Sequence, residues 1–490
     1  MKPQIHIENK DIERSLKLII IDGVTSEIVV CLTSGTFLVA IALLLGASNF
    51  QIGLLAAFPS LTNLAQIISI ILMRRFPNRK SITTISLIFA RTPLVIIGAL
   101  LLQFGISIYF LMTMMFLHYF FSSVGGASWN SWIKDLVPEN RLGQYFSQRS
   151  RYMQIINICL SLLVAVMVDY FTTQRTNELD RLYAVYFVIA GCAGLIGTFF
   201  LSRATEPQSY LSKGSFFDLF MMPLQNRNFR NMLWFNGAWV FAVNIAVPFF
   251  TVFMLESLQI PMTYIIALAI ISQVFSVLTV QLWGKLSDRY SNKSIIYLSA
   301  PIYIVCILAW IFVGIYSRWY INMALLVGIH MFTGIATAGV NLALTNIGLK
   351  LAPKTDAVVY LSIKNIATSI FSSISPLIGG MLADYFKDKQ LKITFEWTSP
   401  GLNKILKLIH LHEWNFLFLI GALMALISLR LLGQVQEQGE VGHSVVKRIM
   451  KTRFKSDLKE SFIIGNIVVW HSMLKAILRR KRAGELESKE

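Results

Sequence analysis

The sequence has 490 residues, of which 55% are hydrophobic and only 14% are charged, too apolar for a soluble protein. Runs of about 20 apolar residues, enough to cross a bilayer, recur along the chain, whereas the short alternating segments of a transmembrane β-barrel are not seen. The net charge of +18 does not indicate a nucleic-acid partner, because the basic residues lie in short loops between apolar runs and in the C-terminal region.

Twelve apolar runs predict an all-α membrane protein with twelve transmembrane helices, numbered here in chain order. In the first half the predicted spans are 24–47, 51–73, 81–103, 106–127, 152–173 and 182–202. In the second half they are 232–254, 262–283, 294–316, 320–345, 358–384 and 413–433. An even number of spans places both termini on the same side of the bilayer.

The distribution of charge between the loops predicts which side that is. Loops on the side of the termini carry roughly twice as many lysines and arginines as the opposite loops, and most of the latter lie in one long loop. Basic loops are retained in the cytoplasm. We therefore expect both termini to be cytoplasmic, in a plasma membrane of the bacterial inner-membrane type.

An internal repeat divides the chain into two six-helix halves in parallel orientation. Residues 215 positions apart match after helices 4 and 10, and the sequence Asp-Tyr-Phe ends both helix 5, at Asp169, and helix 11, at Asp384. Transporters built from such repeats bind substrate near the bilayer midplane, between the halves. The predicted regions are 1–202 for the first bundle, 203–231 for a central cytoplasmic loop, 232–433 for the second bundle and 434–490 for a tail.

The loop between helices 8 and 9 carries a family signature. Its residues match the pattern G-x-L-x-D-R-x-G-R-K at five positions: Gly284, Leu286, Asp288, Arg289 and Lys293. In this loop, and along residues 15–433, the chain resembles the major facilitator superfamily. The resemblance implies that helices 1, 4, 7 and 10 line a central cavity, and that helices 3, 6, 9 and 12 lie at the periphery.

We expect four residues of this loop, Gly284, Asp288, Arg289 and Lys293, to form a cytoplasmic gate. Several opposite charges acting together can bias a two-state equilibrium even when each exposed pair contributes little. The loop after helix 2 lacks the glycine and the aspartate, and its basic residues are interpreted as topology determinants: Arg74, Arg75, Arg79 and Lys80.

Ionisable residues inside a membrane need a partner or a function. Arg91 lies near the midplane of helix 3, and the sequence suggests a charge pair with Glu27 of helix 1, with Asp22 as the second candidate. Asp169 and Asp384, at helix ends, are expected to be solvated.

Polar residues on the cavity-lining helices are the candidates for contacts with substrate, although some of them will only join helices. His118 and His330 fall near the midplane, where histidine suits proton coupling, anion binding or a simple hydrogen bond within the fold. The complete set of candidates is His118, Asn236, Trp239, Asn244, His330, Thr337 and Asn341.

These observations favour a secondary transporter that moves a small organic solute by alternating access, as a symporter or antiporter, with proton coupling as one option. Two other classes stay open: a membrane-embedded transferase using His118 or His330, and a transporter-like receptor or scaffold. No catalytic, phosphate-binding or metal motif is found in the sequence, so no enzyme activity, metal or cofactor is expected. We expect a monomer.

The tail is rich in lysine and arginine between Lys447 and Arg482, with apolar residues at helical spacing. This pattern predicts a basic amphipathic helix on the inner leaflet, bound to anionic lipid; a disordered tail is the alternative.

Overall fold

The computed structural model describes residues 8–76, 78–138, 141–208, 216–314, 318–353, 357–399 and 402–437. Within these ranges it contains twelve helices that are long and apolar enough to cross a membrane. The predicted number of spans is therefore confirmed. The amphipathic tail helix that the sequence predicts lies outside the described residues.

The helices of the first half are Asn9–Thr33 with Gly35–Leu44 (helix 1), Asn49–Thr62 with Gln66–Arg75 (helix 2), Arg79–Gln103 (3), Ile108–Leu136 (4), Leu142–Gln174 (5) and Leu179–Leu201 (6). Those of the second half are Arg227–Val252 (7), Met262–Arg289 (8), Asn292–Ala309 (9), Trp319–Leu351 (10), Ala357–Phe386 (11) and Trp414–Leu432 (12). A short helix, Phe216–Gln225, lies in the central loop.

Helices 1 and 2 change geometry within their spans. Helix 1 is interrupted at Ser34, whose backbone is extended, and resumes at Gly35, whose positive φ favours glycine. Helix 2 begins with a capping box between Ser48 and Gln51 and tightens into a 3-10 turn at Asn63–Ala65, a few residues after Pro59. Proline removes one helical hydrogen bond and so favours such a local change.

Each half is a compact bundle of its own helices. In the first half, helix 3 packs between helices 4 and 6, and helix 1 packs on helices 5 and 6. In the second half, helix 10 packs between helices 8 and 9, and helix 7 packs on helices 11 and 12. Gly98 allows helix 3 to touch helix 6, since a Cβ there would lie 2.6 Å from the carbonyl oxygen of Ala184.

Helix ends define two faces of the molecule. We call the side on which helix 1 begins and helix 12 ends the terminal face, and the other side the opposite face. Between helices 11 and 12, where a loop was expected, strands β1 (Gln390–Ser399) and β2 (Leu402–His412) form an antiparallel hairpin. The halves meet mainly where helix 2 packs on helix 11 and helix 5 packs on helix 8.

Candidate functional site

At the opposite face, a carboxylate of the first half binds the start of a helix of the second half. Asp169, near the end of helix 5, accepts hydrogen bonds from the backbone N–H groups of Met262 at 2.6 Å and Thr263 at 2.8 Å. These are the first two residues of helix 8, where unpaired N–H groups and the helix dipole attract negative charge.

A carboxylate of the second half makes the equivalent contact with a helix of the first half. Asp384, near the end of helix 11, accepts hydrogen bonds from the backbone N–H groups of Asn49 at 3.2 Å and Phe50 at 3.0 Å, at the start of helix 2. We call these two contacts the interhalf caps. Asp384 is exposed and Asp169 is half-buried, so water still reaches these helix ends as expected, but each aspartate also satisfies N–H groups that have no partner within their own helix.

From the caps toward the terminal face, helices 2 and 11 first touch and then separate. A Cβ on Gly53 would lie 2.2 Å from the carbonyl oxygen of Pro376, so the two backbones are in contact there. One to two turns further toward the terminal face, the hydroxyl groups of Ser60 and Ser372 are 2.9 Å apart. The closest approach of the halves along these helices thus lies on the opposite-face side.

Toward the terminal face, a cavity of about 340 Å³ lies between helices 2 and 11. We call it the interhalf cavity. Most of its lining side chains are uncharged hydrogen-bonding groups, and they come from both halves. They are Ser60, Asn63, Gln66, Ser362, Asn365, Thr368, Ser369 and Ser372, with Ile67, Ile70 and Ile366.

Two of the predicted substrate residues are packed inside a bundle. His118 is 4% exposed, and its Nδ1 lies 2.8 Å from the carbonyl oxygen of Ala90, so the ring joins helix 4 to helix 3. Trp239 is 5% exposed and packs against the ring of Tyr303. Both residues are buried in the structure described here.

Two other predicted substrate residues, Asn236 and His330, lie at or behind a cavity. Asn236 is buried and donates a hydrogen bond to the Thr368 hydroxyl at 2.6 Å, one layer behind the interhalf cavity. His330 lines a separate cavity of about 180 Å³ to which Thr36 of helix 1 also contributes, and its Nδ1 lies 2.9 Å from the carbonyl oxygen of Leu326. His330 is thus the predicted histidine that faces open space.

The remaining candidates bond within their own helices. Asn244 donates to the carbonyl oxygen of Val240, and the Thr337 hydroxyl donates to that of Gly334. Asn341 is exposed. Their role in binding substrate stays a prediction.

The predicted charge pair of Arg91 with Glu27 is wrong. Glu27 accepts a hydrogen bond from Asn157 of helix 5 at 2.8 Å. Arg91 is 7% exposed, donates to Ser26 at 3.4 Å and interacts electrostatically with Asp22, the second candidate. The two acids are five residues apart, which places them about 140° apart around helix 1, so they point in different directions and Asp22 is the one that faces helix 3.

At the terminal face of the first half, Arg79 lies in a buried polar network. It is 1% exposed, and its Nη1 donates to Asp135 at 2.5 Å and to the carbonyl oxygen of Ser131 at 2.8 Å. Glu206, after helix 6, accepts from the backbone N–H of Arg79 at 2.6 Å. Burial raises the pKa of Glu206 above its usual value, because the basic residues that contact Glu206 lower its pKa by less than burial raises it.

The second half has a corresponding carboxylate. Glu437, five residues past the end of helix 12, accepts from the backbone N–H groups of Asn292 and Lys293, at the start of helix 9, and from the Lys350 ammonium at 2.9 Å. Although burial raises the pKa of Glu437, these hydrogen bonds together hold it below its usual value. Glu206 and Glu437 were both missed in the sequence, although each follows the last helix of its half at the same distance.

The predicted gate loop is at the same face. Lys293 is buried and bound through its backbone to Glu437, whereas Asp288 and Arg289 are exposed and Gly284 is half-buried. Asp288 has no partner among the described residues. The carboxylate that binds the start of helix 9 in this structure is therefore Glu437.

Comparison with known proteins gives one family and several similar folds. A family model described as Major Facilitator Superfamily matches residues 24–347 and 240–481. The solved nucleoside transporter NupG is 12% identical and covers 87% of this chain and 100% of that chain, with a TM-score of 0.62. A bacterial homologue of the human lysosomal transporter Spinster, inward-facing and unoccupied, is 17% identical over 78% of this chain and 84% of its own, with a TM-score of 0.58.

A POT family transporter in complex with 5-aminolevulinic acid is 12% identical over 88% of this chain and 97% of its own, also with a TM-score of 0.58. No curated protein sequence matches the chain. At these identities the similarity extends to the fold.

Proposed function

Because the chain belongs to the major facilitator superfamily, we propose that it is a secondary active transporter that carries a small organic solute across the bilayer by alternating access. The terminal face is the cytoplasmic face, as the basic loops indicate, and the membrane is a plasma membrane of the bacterial inner-membrane type. The protein acts as a monomer and needs no cofactor.

The observation that carries this proposal is the arrangement of the helix 2 and helix 11 interface. The interhalf caps join the halves at the opposite face, while a polar cavity lies between the same helices toward the terminal face. Two parallel repeats that close at one face around a central site and part at the other form one state of a rocking cycle. The interhalf cavity supplies hydrogen bonds for the solute.

Replacing both cap aspartates, Asp169→Asn and Asp384→Asn, is expected to open the opposite face. Each substitution removes the charge that two helix N–H groups attract, which costs about 0.3–1 kcal/mol per cap, so the loss of both caps shifts the equilibrium by roughly threefold to thirtyfold. The measurement is the rate at which a membrane-impermeant maleimide, added from the opposite face, labels a cysteine at Ser60, which lines the interhalf cavity.

The background for this measurement replaces the exposed Cys159 and Cys192 by serine. The matched control is Asp180→Asn, which removes an exposed carboxylate at the same face; among the described residues, this carboxylate accepts a hydrogen bond only from the backbone N–H of its neighbour Arg181. An unchanged labelling rate in the double variant would show that the caps do not hold this face shut.

We propose that Glu27 carries the coupling proton. Among the described residues, Asp22 and Glu27 are the carboxylates that lie well inside the spans, and Asp22 is buried between arginines. Glu27 is half-buried, its bonded neighbour Asn157 is uncharged, and the nearby thiol of Cys31 is the other titratable group facing it. An acid of this kind inside a membrane is a candidate for proton transfer.

Glu27→Gln is therefore expected to abolish the pH dependence of the conformational exchange. In the parent protein, the rate at which the cysteine at Ser60 is labelled from the opposite face should change with pH, because a proton-coupled transporter binds its proton more tightly in one conformation than in the other. In the variant the rate should be flat. Glu178→Gln, at an exposed acid paired with Arg175, is the control; a pH profile retained in Glu27→Gln would assign the coupling elsewhere.

The loop of Gly284, Asp288, Arg289 and Lys293 is proposed to pair with neighbouring helix ends when the terminal face closes. The exposed position of Asp288 in the present state supports this proposal, because the partner would approach only on closure.

A further inference from the structure

Arg149 of helix 5 is held in a fixed orientation by its neighbours. Its guanidinium carbon lies 5.0 Å from the centre of the Trp129 ring of helix 4. On the side of helix 1 it rests on Gly23, where an added Cβ would be 2.7 Å from Nε. A guanidinium stacked on an aromatic ring and pressed against a glycine has little freedom to turn.

Among the described residues, this positioned side chain has no hydrogen-bond acceptor. Its Nε is buried without a partner, and no hydrogen bond or salt bridge joins Arg149 to any other described residue. By contrast, Arg79 reaches a carboxylate and several carbonyl oxygens. Buried donors are normally satisfied, so a fixed arginine without an acceptor indicates that the acceptor arrives with a ligand.

The surrounding charges favour an anion. Asp22 interacts electrostatically with both Arg91 and Arg149, so one carboxylate faces two guanidinium groups. Within the described part of the chain, Arg91 is also only partly satisfied, since its Nε is buried without a partner and its one hydrogen bond, to Ser26, is long. Two guanidinium groups carry about ten N–H donors, more than one carboxylate can accept. The cluster therefore has one excess positive charge and donors to spare.

Lys364 occupies the position in the second half that is equivalent to Arg149, but it differs from Arg149 because it has a hydrogen-bond acceptor. Its ammonium donates to the carbonyl oxygen of Leu344 at 2.8 Å, the residue that corresponds to Trp129 in the repeat. The lysine is satisfied by its own half, whereas Arg149 is not. The site is therefore assigned to the first half.

We propose that Arg149 binds an oxyanion group, a carboxylate or a phosphate, on the transported solute, with Trp129 and Gly23 as positioning residues. This inference rests on the proposed transport function and names its substrate class.

The test uses the full-length protein purified in detergent, at constant ionic strength set with potassium chloride. Inorganic phosphate and succinate are titrated separately, with glucose as the neutral probe, and binding is read from thermal stabilisation and from tryptophan fluorescence. At least one anion should bind and glucose should not. Arg149→Gln should weaken binding by about tenfold or more, the effect of losing a charge-assisted hydrogen bond.

Two further variants separate recognition from folding. Gly23→Ala keeps every charge but displaces the guanidinium, so it should weaken the same anion. Arg151→Gln removes an exposed arginine two residues away, beside Tyr152, and should bind like the parent. The preference between phosphate and succinate identifies the oxyanion.

The proposal is overturned if neither anion binds, if Arg149→Gln binds like the parent, or if Lys364→Gln alone abolishes binding. Because binding is measured without transport, this failure is distinct from a failure of the transport proposal, which the maleimide labelling tests on its own.

Discussion

Replacing Arg79 by alanine is expected to destabilise the protein by about 3–5 kcal/mol, the loss typical of removing one partner from a buried ionic network. Arg79 is fully buried, and its removal leaves Glu206, itself only 6% exposed, without its strongest cation. It also strands the carbonyl oxygen of Pro207, which accepts from Nη2 at 2.9 Å. Folded yield and the thermal unfolding midpoint in detergent are the measurements.

Arg75→Ala provides the matched control. Arg75 belongs to the same basic cluster after helix 2, but it is exposed and lies over the ring of its neighbour Phe76. If loop charge alone mattered, both alanine variants would behave alike. Equal stability of the two variants would contradict the buried network.

Replacing Arg91 by alanine is expected to have a loss of similar size, about 3–5 kcal/mol, because the buried carboxylate of Asp22 loses one of the two cations that face it. The double variant with Asp22→Asn should recover part of this loss. The double variant with Glu27→Gln should not, because Glu27 is bonded to Asn157. Thermal unfolding of the single and double variants measures the coupling.

If Glu27→Gln recovers stability in the Arg91→Ala background and Asp22→Asn does not, the charge pair of Arg91 with Glu27 that the sequence suggested would be correct. A fully stable Arg91→Ala protein would show that the arginine contributes nothing to the bundle.

Much of the fold follows from hydrophobicity alone, since a long apolar helix has few alternatives in a bilayer. The hairpin between helices 11 and 12 also had a signal, because polar and apolar residues alternate along 390–399, the period of a strand. A loop assignment based on charge does not register that alternation.

The site was less predictable, and the reasons differ from residue to residue. Ser60, Asn63 and Gln66 recur every three residues, and Ser362, Asn365, Ser369 and Ser372 follow helical spacing on helix 11, so a polar stripe on each helix was visible. That these stripes face each other depends on how the halves dock. The repeated Asp169 and Asp384 were visible too, but their partners are backbone groups, which leave no mark in a sequence.

Because the interhalf caps use backbone N–H groups, they restrict few side chains when the sequence changes. Each interhalf cap uses a carboxylate on one side and main-chain N–H groups on the other, so the interface constrains one side chain instead of a matched pair. The cap itself excludes only proline at positions 49, 50, 262 and 263, because proline has no N–H to donate. Met262 is also buried, so that position should keep an apolar residue. A saturation mutagenesis map should therefore show two intolerant aspartates facing positions 49, 50 and 263, where proline is the residue that the cap excludes.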